Sequence, residues 1–278
     1  MRFKNLIIGI ILFLVLFSII LISFSFLPAS PAKRGEPNPK KEISTQPTLV
    51  EINGKMRVKY PQDVTIVLVG DSMTEYLGNS TELRDYLKQY YPNRTFEILN
   101  YGFGSTNILS LPQRLTEKTE HGREFRPILD IAFDIILIES FGHNPLSDYP
   151  INDGLKKQTE ILEKVVSLIK LENPKAKIIF VATLGPNKKF YAYRAVDLSP
   201  EKRADWTNER ISYIKNHIKF AQKNNIPVIN IFEKALDKNG DTDTKYISDN
   251  DYIHPSPKGI IFLSHQIADF IYSGNFLK

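Results

Sequence analysis

From Val64 onward the chain alternates short apolar runs with longer stretches of helical periodicity. The runs are Val64 to Val69, Thr95 to Leu99, Phe133 to Glu139, Lys177 to Leu184 and Pro227 to Phe232. Their length and β-branched content predict strands, and Phe133 to Glu139, apolar at nearly every position, reads as a central one. The segments between them predict helices. Asn79 to Tyr91 places Leu83, Leu87 and Tyr90 on one face, with Asn79 and Glu82 as a capping box. Ile108 to Thr119 follows, with Pro112 early enough to be tolerated. Asp153 to Glu172 carries Leu155, Leu162, Val165, Val166 and Ile169 on one side. Pro200 to Asn224 and Pro257 to Ile271 complete the set. Strand and helix in alternation point to a parallel sheet covered on both faces, and neither an internal repeat nor a second domain boundary interrupts it.

Ahead of this pattern the chain changes character. Leu6 to Leu27 is an uncharged apolar run, and about 20 such residues suffice to cross a bilayer as a helix. The run is longer than a signal-peptide core and ends in Leu27-Pro28-Ala29-Ser30-Pro31-Ala32, which favours an uncleaved anchor over a removed signal. Residues 28–62, rich in Pro, Lys and Glu with little apolar periodicity, read as a stem, and residues 63–278 as the globular domain. Arg2 and Lys4 would hold the amino terminus inside, whereas Lys33, Arg34, Lys40 and Lys41 by themselves argue the reverse. An amino-terminal apolar segment ahead of a soluble domain is the usual layout for export, so the expectation is a single-pass, membrane-anchored protein with an extracytoplasmic domain.

Charge sharpens that picture. The formal net charge of +5 lies in the amino-terminal region, where Arg2, Lys4, Lys33, Arg34, Lys40, Lys41, Lys55, Arg57 and Lys59 face only Glu36, Glu42 and Glu51. The remainder is close to neutral. That weakens a nucleic-acid partner and favours contact with anionic lipid or wall polymer near the membrane. The absence of cysteine excludes a disulfide scaffold and fits either side of a membrane.

In a doubly wound sheet the loops after successive strands gather along one edge, where ligands bind. Those loops carry Gly70-Asp71-Ser72, then Gly102 to Thr106, then Gly142-His143-Asn144, and finally Asp251-Tyr252-Ile253-His254-Pro255. Gly-Asp-Ser alone reads equally well as an ordinary turn. A serine nucleophile also needs a base, because its hydroxyl is weak at neutral pH. Of the five histidines, His254 is distinguished by Asp251 three residues earlier, a spacing that lets a turn bring the carboxylate to one imidazole nitrogen and leave the other free. Taken alone, Asp251 could merely cap a turn. His143 could line the site or fill a turn, and His121, after a charged helix end, reads as a solvated surface residue.

These loops, in order and each after a strand, resemble the four blocks of the SGNH hydrolases, also called GDSL esterases and lipases. The resemblance covers Val64 to the last helix. It implies a three-layer α/β/α sandwich of about five parallel strands, flavodoxin-like in its winding, with no metal or organic cofactor. It further implies Ser72 as nucleophile, His254 as general base and Asp251 as the residue orienting His254. An oxyanion hole would form from the backbone N–H groups of Ser72 and Gly104 and the side-chain amide of Asn144, where loss of one donor commonly costs about 3 kcal/mol. Two departures qualify it. The second block is one residue shorter than the commoner spacing, leaving Gly102 a rival donor, and Pro145 follows Asn144 where the family usually has Asp.

The expected activity is hydrolysis of a short acyl ester, an O-acetyl group on an envelope glycan before a lipid acyl ester. An O-acyltransferase using the same site and a non-catalytic glycan-binding module are the alternatives. Phe190, Tyr191, Tyr193 and Arg194 in the 185–199 connection, with Trp206 beyond, could stack on sugar rings, bound an acyl pocket, or simply pack that loop onto the body.

Overall fold

A short hairpin precedes the sheet in the computed structural model, which describes residues 45–277. Its strands are β1 (Thr48–Ile52) and β2 (Lys55–Lys59). The first sheet strand, β3 (Val64–Gly70), leads through a one-turn helix α1 (Ser72–Glu75) and a longer helix α2 (Thr81–Tyr90) to β4 (Phe96–Gly102). Next come α3 (Leu111–Thr116) and a two-stranded ribbon of β5 (Thr119–Glu120) and β6 (Glu124–Phe125). The chain then runs through β7 (Ile135–Glu139), α4 (Ile151–Glu172), β8 (Lys177–Ala182), α5 (Pro200–Lys223), β9 (Val228–Asn230), α6 (Ile231–Lys234) and α7 (Pro257–Ser273).

The five long-range strands pair in parallel in the order β4-β3-β7-β8-β9. β3 and β7 are buried at every position, as their unbroken apolar runs require, and β7 is the central strand. Side chains alternate between the two faces of the sheet. Val67, Val69, Ile136 and Ile138 pack with Leu162, Val165 and Ile169 of α4 and Tyr213 and Phe220 of α5. Ile66, Leu68, Ile135 and Leu137 pack instead with Leu83 and Leu87 of α2 and Leu263, Ile267 and Ile271 of α7. Three layers result, helices on both faces of the sheet.

Several elements depart from the sequence pattern. The Asn79–Glu82 capping box does not form. Helix α2 begins at Thr81 after Ser80, which sits at φ 53° with no side-chain cap, because the turn leaving α1 closes through Ser80 N–H to Leu77 O. The helix expected over Ile108 to Thr119 is shorter. A 3₁₀ turn capped by Asn107 precedes α3, and Thr119 pairs into the ribbon, whose reversal passes through Gly122 at φ 68°. Pro227 to Phe232 contributes only three strand residues before the Asn230 side chain caps the start of α6.

The stem also ends earlier than its composition indicates. Asn53 and Gly54, both at positive φ, form the two-residue turn that a tight hairpin needs. Val58 then bridges to Ile131, and Arg57, buried, pairs with Glu172 at the end of α4 at 3.0 Å. The hairpin therefore belongs to the globular unit. The apolar run at residues 6–27 and the first part of the stem lie outside the described residues, and among the described residues no helix is long and apolar enough to cross a membrane.

Two stability measurements follow from these buried groups. Glu172→Ala removes the counter-charge of buried Arg57, leaving it only the carbonyl of residue 172, and should cost about 2–4 kcal/mol by chemical denaturation, whereas Lys55→Ala, which removes an exposed partner of the same carboxylate, should cost under about 1 kcal/mol. Equal losses would mean that the Arg57 contact contributes nothing. The second concerns His217, buried on α5, stacked on Phe180 and donating to Ile138 O, whose pKa burial lowers to about 3. A depressed histidine pKa adds stability above the unfolded value, and that stability drains away as pH falls towards the folded value. Between about pH 6 and 4 the wild type should lose about 1.4 kcal/mol per pH unit more than His217→Phe. Parallel pH profiles would overturn this.

Candidate active site

Ser72 opens α1 directly at the carboxyl end of β3, so its backbone N–H is one of the helix donors without an intrahelical partner. Asp71 is the N-cap, buried, accepting the Met73 N–H at 2.8 Å through Oδ1. Its other oxygen, Oδ2, accepts the Asn144 amide at 3.0 Å. The sharp turn requires Gly70, since a β-carbon there would lie 2.1 Å from Thr74 Oγ1 and 2.8 Å from Glu139 Cβ.

Asn144 is carried by the turn after β7, where Phe141, buried at φ 54°, reverses the chain and accepts the Asn144 N–H through its carbonyl. Gly142 lets this turn approach α5, because a β-carbon would meet the Ile214 side chain at 2.3 Å. His143 is buried and donates through Nε2 to Leu184 O at 2.8 Å, leaving Nδ1 a bare acceptor without a partner. Burial lowers its pKa, with nearby Asp71 pulling the other way.

The Asp251 carboxylate organises its own loop. Oδ2 accepts from His254 Nδ1 at 2.6 Å, while Oδ1 accepts the backbone N–H groups of Ile253 and His254 at 2.8 and 3.1 Å. Partial burial raises its pKa, but the hydrogen bonds from His254 and the backbone outweigh that and hold it below the usual carboxylate range. Asp251 is thus an anion fixed to one imidazole nitrogen. The flat face of His254 lies on the Tyr76 ring at 4.1 Å and 3°, and Tyr76 N–H donates to Ser72 O one helical turn away. Tyr76 thereby seats the imidazole against the turn that bears Ser72. Among the described residues neither Ser72 Oγ nor His254 Nε2 has a hydrogen-bond partner.

Gly104 also reaches this place, since a β-carbon on it would lie 3.7 Å from Ser72 Cβ. Its N–H, however, is taken by Glu75 Oε2 at 2.8 Å, and the N–H of the rival Gly102 by Asn100 Oδ1 at 2.8 Å. Glu75 Oε1 meets His121 Nε2 at 3.0 Å, and His121 stacks on Phe103 at 4.6 Å. The expectation of a solvated His121 gives way to one packed at the site's corner. The aromatic residues of the 185–199 connection brace the histidine loop. Phe190 stacks on Tyr252, Ala192 N–H donates to Tyr252 O, and Tyr191, Trp206 and Ile253 pack together, so of this group Tyr193 alone stays largely exposed.

Beneath the turn that bears Ser72 lie groups that the sequence did not single out. Arg114, buried on α3, donates through Nη1 to Gly70 O at 2.7 Å and Tyr101 O at 3.0 Å, and burial lowers its pKa to about 10 despite Asp71, Glu139 and Glu75. Glu139, fully enclosed at the end of β7, has its pKa pushed well up by burial and by Asp71, and accepts from Ser140 Oγ at 2.7 Å. No sequence signal links these positions. Glu75 and Tyr76, three and four residues after Ser72, were accessible through helical spacing.

The model of the GDSL-like lipase/acylhydrolase family matches residues 68–260. The chain belongs to this family. It is an ester hydrolase. Solved structures of similar fold include the lipase/acylhydrolase from Enterococcus faecalis, 16% identical with a TM-score of 0.53 over 76% of this chain and 96% of that one. The acetyl xylan esterase AlAXEase aligns with 16% identity and a TM-score of 0.53, over 76% of this chain and 99% of that one. A GDSL-like lipase from Bacteroides thetaiotaomicron gives 16% identity and 0.52 over 76% and 88%. No curated protein matches the sequence. For this GDSL hydrolase the Asp251–His254 geometry predicts that Asp251→Asn, which keeps the shape but loses the anion, lowers kcat on p-nitrophenyl acetate by about three to four orders of magnitude near neutral pH. A loss below about tenfold would mean that Asp251 does not support the base.

Proposed function

We propose that Ser72 attacks the carbonyl carbon of a short acyl ester while His254 Nε2 takes its proton, giving an acyl-enzyme that water then resolves with His254 again as base. The observation that carries this reading is the Asp251–His254 pair at 2.6 Å, with the other imidazole nitrogen unpartnered and the ring stacked on the helical turn of Ser72. An anionic carboxylate on Nδ1 selects the tautomer with a lone pair on Nε2 and stabilises the imidazolium that forms. The Ser72 N–H and the second hydrogen of the Asn144 amide are the donors nearest at hand for the tetrahedral oxyanion, with Asn144 held in place by Asp71.

We favour an O-acetyl or similar short acyl group on an envelope carbohydrate. The apolar cavity behind α1, lined by Met73, Leu77, Leu137, Val181, Leu263 and Ile267 among others, measures about 20 Å³, room for about one water molecule and too little for a long acyl chain. The purified protein should hydrolyse p-nitrophenyl acetate with a burst of acyl-enzyme, and Ser72→Ala should lose more than about a thousandfold in kcat. Comparable rates for the two proteins would rule out Ser72 as nucleophile.

A further inference from the structure

Glu75 stands in an unusual place for a carboxylate. Its Oε2 accepts the N–H of Gly104 at 2.8 Å, next to Ser72, so a negative oxygen already occupies a donor suited to a tetrahedral oxyanion. The contact is held from one further side, by His121 Nε2 at 3.0 Å. The pair is partly open to water, with side-chain exposures of 43% for Glu75 and 31% for His121, and exposed pairs of this kind are weak enough for a ligand to displace.

Beyond Glu75 a groove of about 610 Å³ follows the outer side of β4. β4 is an edge strand, paired only with β3, which leaves one row of its backbone groups without a strand partner. Along this groove Arg84, Arg123 and Arg126 are matched by Glu75, Glu97 and Glu124. Such a balanced set of donors and acceptors suits a neutral, hydroxyl-rich chain, and suits neither a fatty acyl tail nor a polyanion.

We propose that Glu75 is a specificity-determining residue that couples this groove to the oxyanion site. The alcohol portion of a carbohydrate ester enters the groove, and one of its free hydroxyls donates to the Glu75 carboxylate. The carboxylate then releases the Gly104 N–H, which turns to the carbonyl oxygen under attack. Hydrogen bonds are exchanged and no covalent bond changes in this step. A small ester without hydroxyls on its alcohol side cannot make the exchange and reacts with Gly104 still occupied. The inference rests on the ester-hydrolase reading of Ser72 given above.

The test compares kcat/KM on p-nitrophenyl acetate with that on an O-acetylated xylo-oligosaccharide in the wild type, Glu75→Ala and His121→Phe. One oxyanion donor commonly changes kcat by about a hundred- to a thousandfold. Glu75→Ala should therefore raise activity on p-nitrophenyl acetate by about tenfold or more, and lower the ratio of carbohydrate ester to small ester by at least about tenfold. His121→Phe keeps a ring on Phe103 but removes one hold on Glu75, and should shift the ratio in the same direction by less; it decides the matter alone if Glu75→Ala proves too unstable to assay. Equal changes on both substrates, or a fall on both, would overturn the role of Glu75. Because Ser72→Ala reports on the nucleophile separately, loss of activity there together with an unmoved ratio would remove only the Glu75 proposal.

Discussion

The carbonyl oxygens of Gly70 and Tyr101 lie at the ends of two adjacent parallel strands, and one buried guanidinium, that of Arg114, donates to both. A cation enclosed in this way is tolerable only with nearby negative charge and hydrogen bonds, and here four acceptors take Nη1 and Nη2 while Nε has none. Asp71, Glu139 and Glu75 contribute the field, Ser110 and Thr106 accept from Nη2, and the Phe103 ring lies under the guanidinium carbon at 4.3 Å. The end of β3 is thus locked relative to the end of β4. Ser72 begins two residues beyond that lock, and Gly104 two residues beyond the other strand's last residue.

From that anchor the remaining parts of the site are placed by short-range contacts. Asp71 caps α1 and at the same time holds Asn144, so one carboxylate connects the turn that bears Ser72 with the loop after β7. The enclosed Glu139 sits beside it, accepting the Asp71 N–H at 3.3 Å, and burial together with the Asp71 charge pushes its pKa well up. Tyr76 connects the same helical turn to His254, which Asp251 orients from its own loop. The enclosed groups around Arg114 are fixed by packing. Glu75 differs, being partly exposed at the boundary between the site and the β4 groove, where a change of hydrogen-bond partner costs little burial.

Much of this was legible along the chain. The apolar periodicity defined five strands and the helices between them, because burial on both faces demands unbroken runs in β3 and β7, while the helices show one apolar side. Asp251 and His254 were legible as a pair because a spacing of three residues in a turn is enough to bring carboxylate and imidazole together. Even the hairpin had a signal in Asn53-Gly54 between alternating apolar residues, obscured by the proline- and lysine-rich composition around it.

Contacts between distant segments were not legible in this way. Nothing local associates Arg114 with Gly70, Glu139 with Asp71, or Arg57 with Glu172, since each pairing depends on where the parallel crossovers return the chain. The oxyanion corner shows the same division. Sequence determined that Gly104 would lie in the turn after the next strand beyond Ser72, because strand limits and turn chemistry are local consequences of pattern. Only the tertiary structure decided that the Gly104 N–H meets the Glu75 carboxylate, because that hydrogen bond exists only once β3 and β4 lie side by side and α1 turns its fourth residue towards the loop after β4.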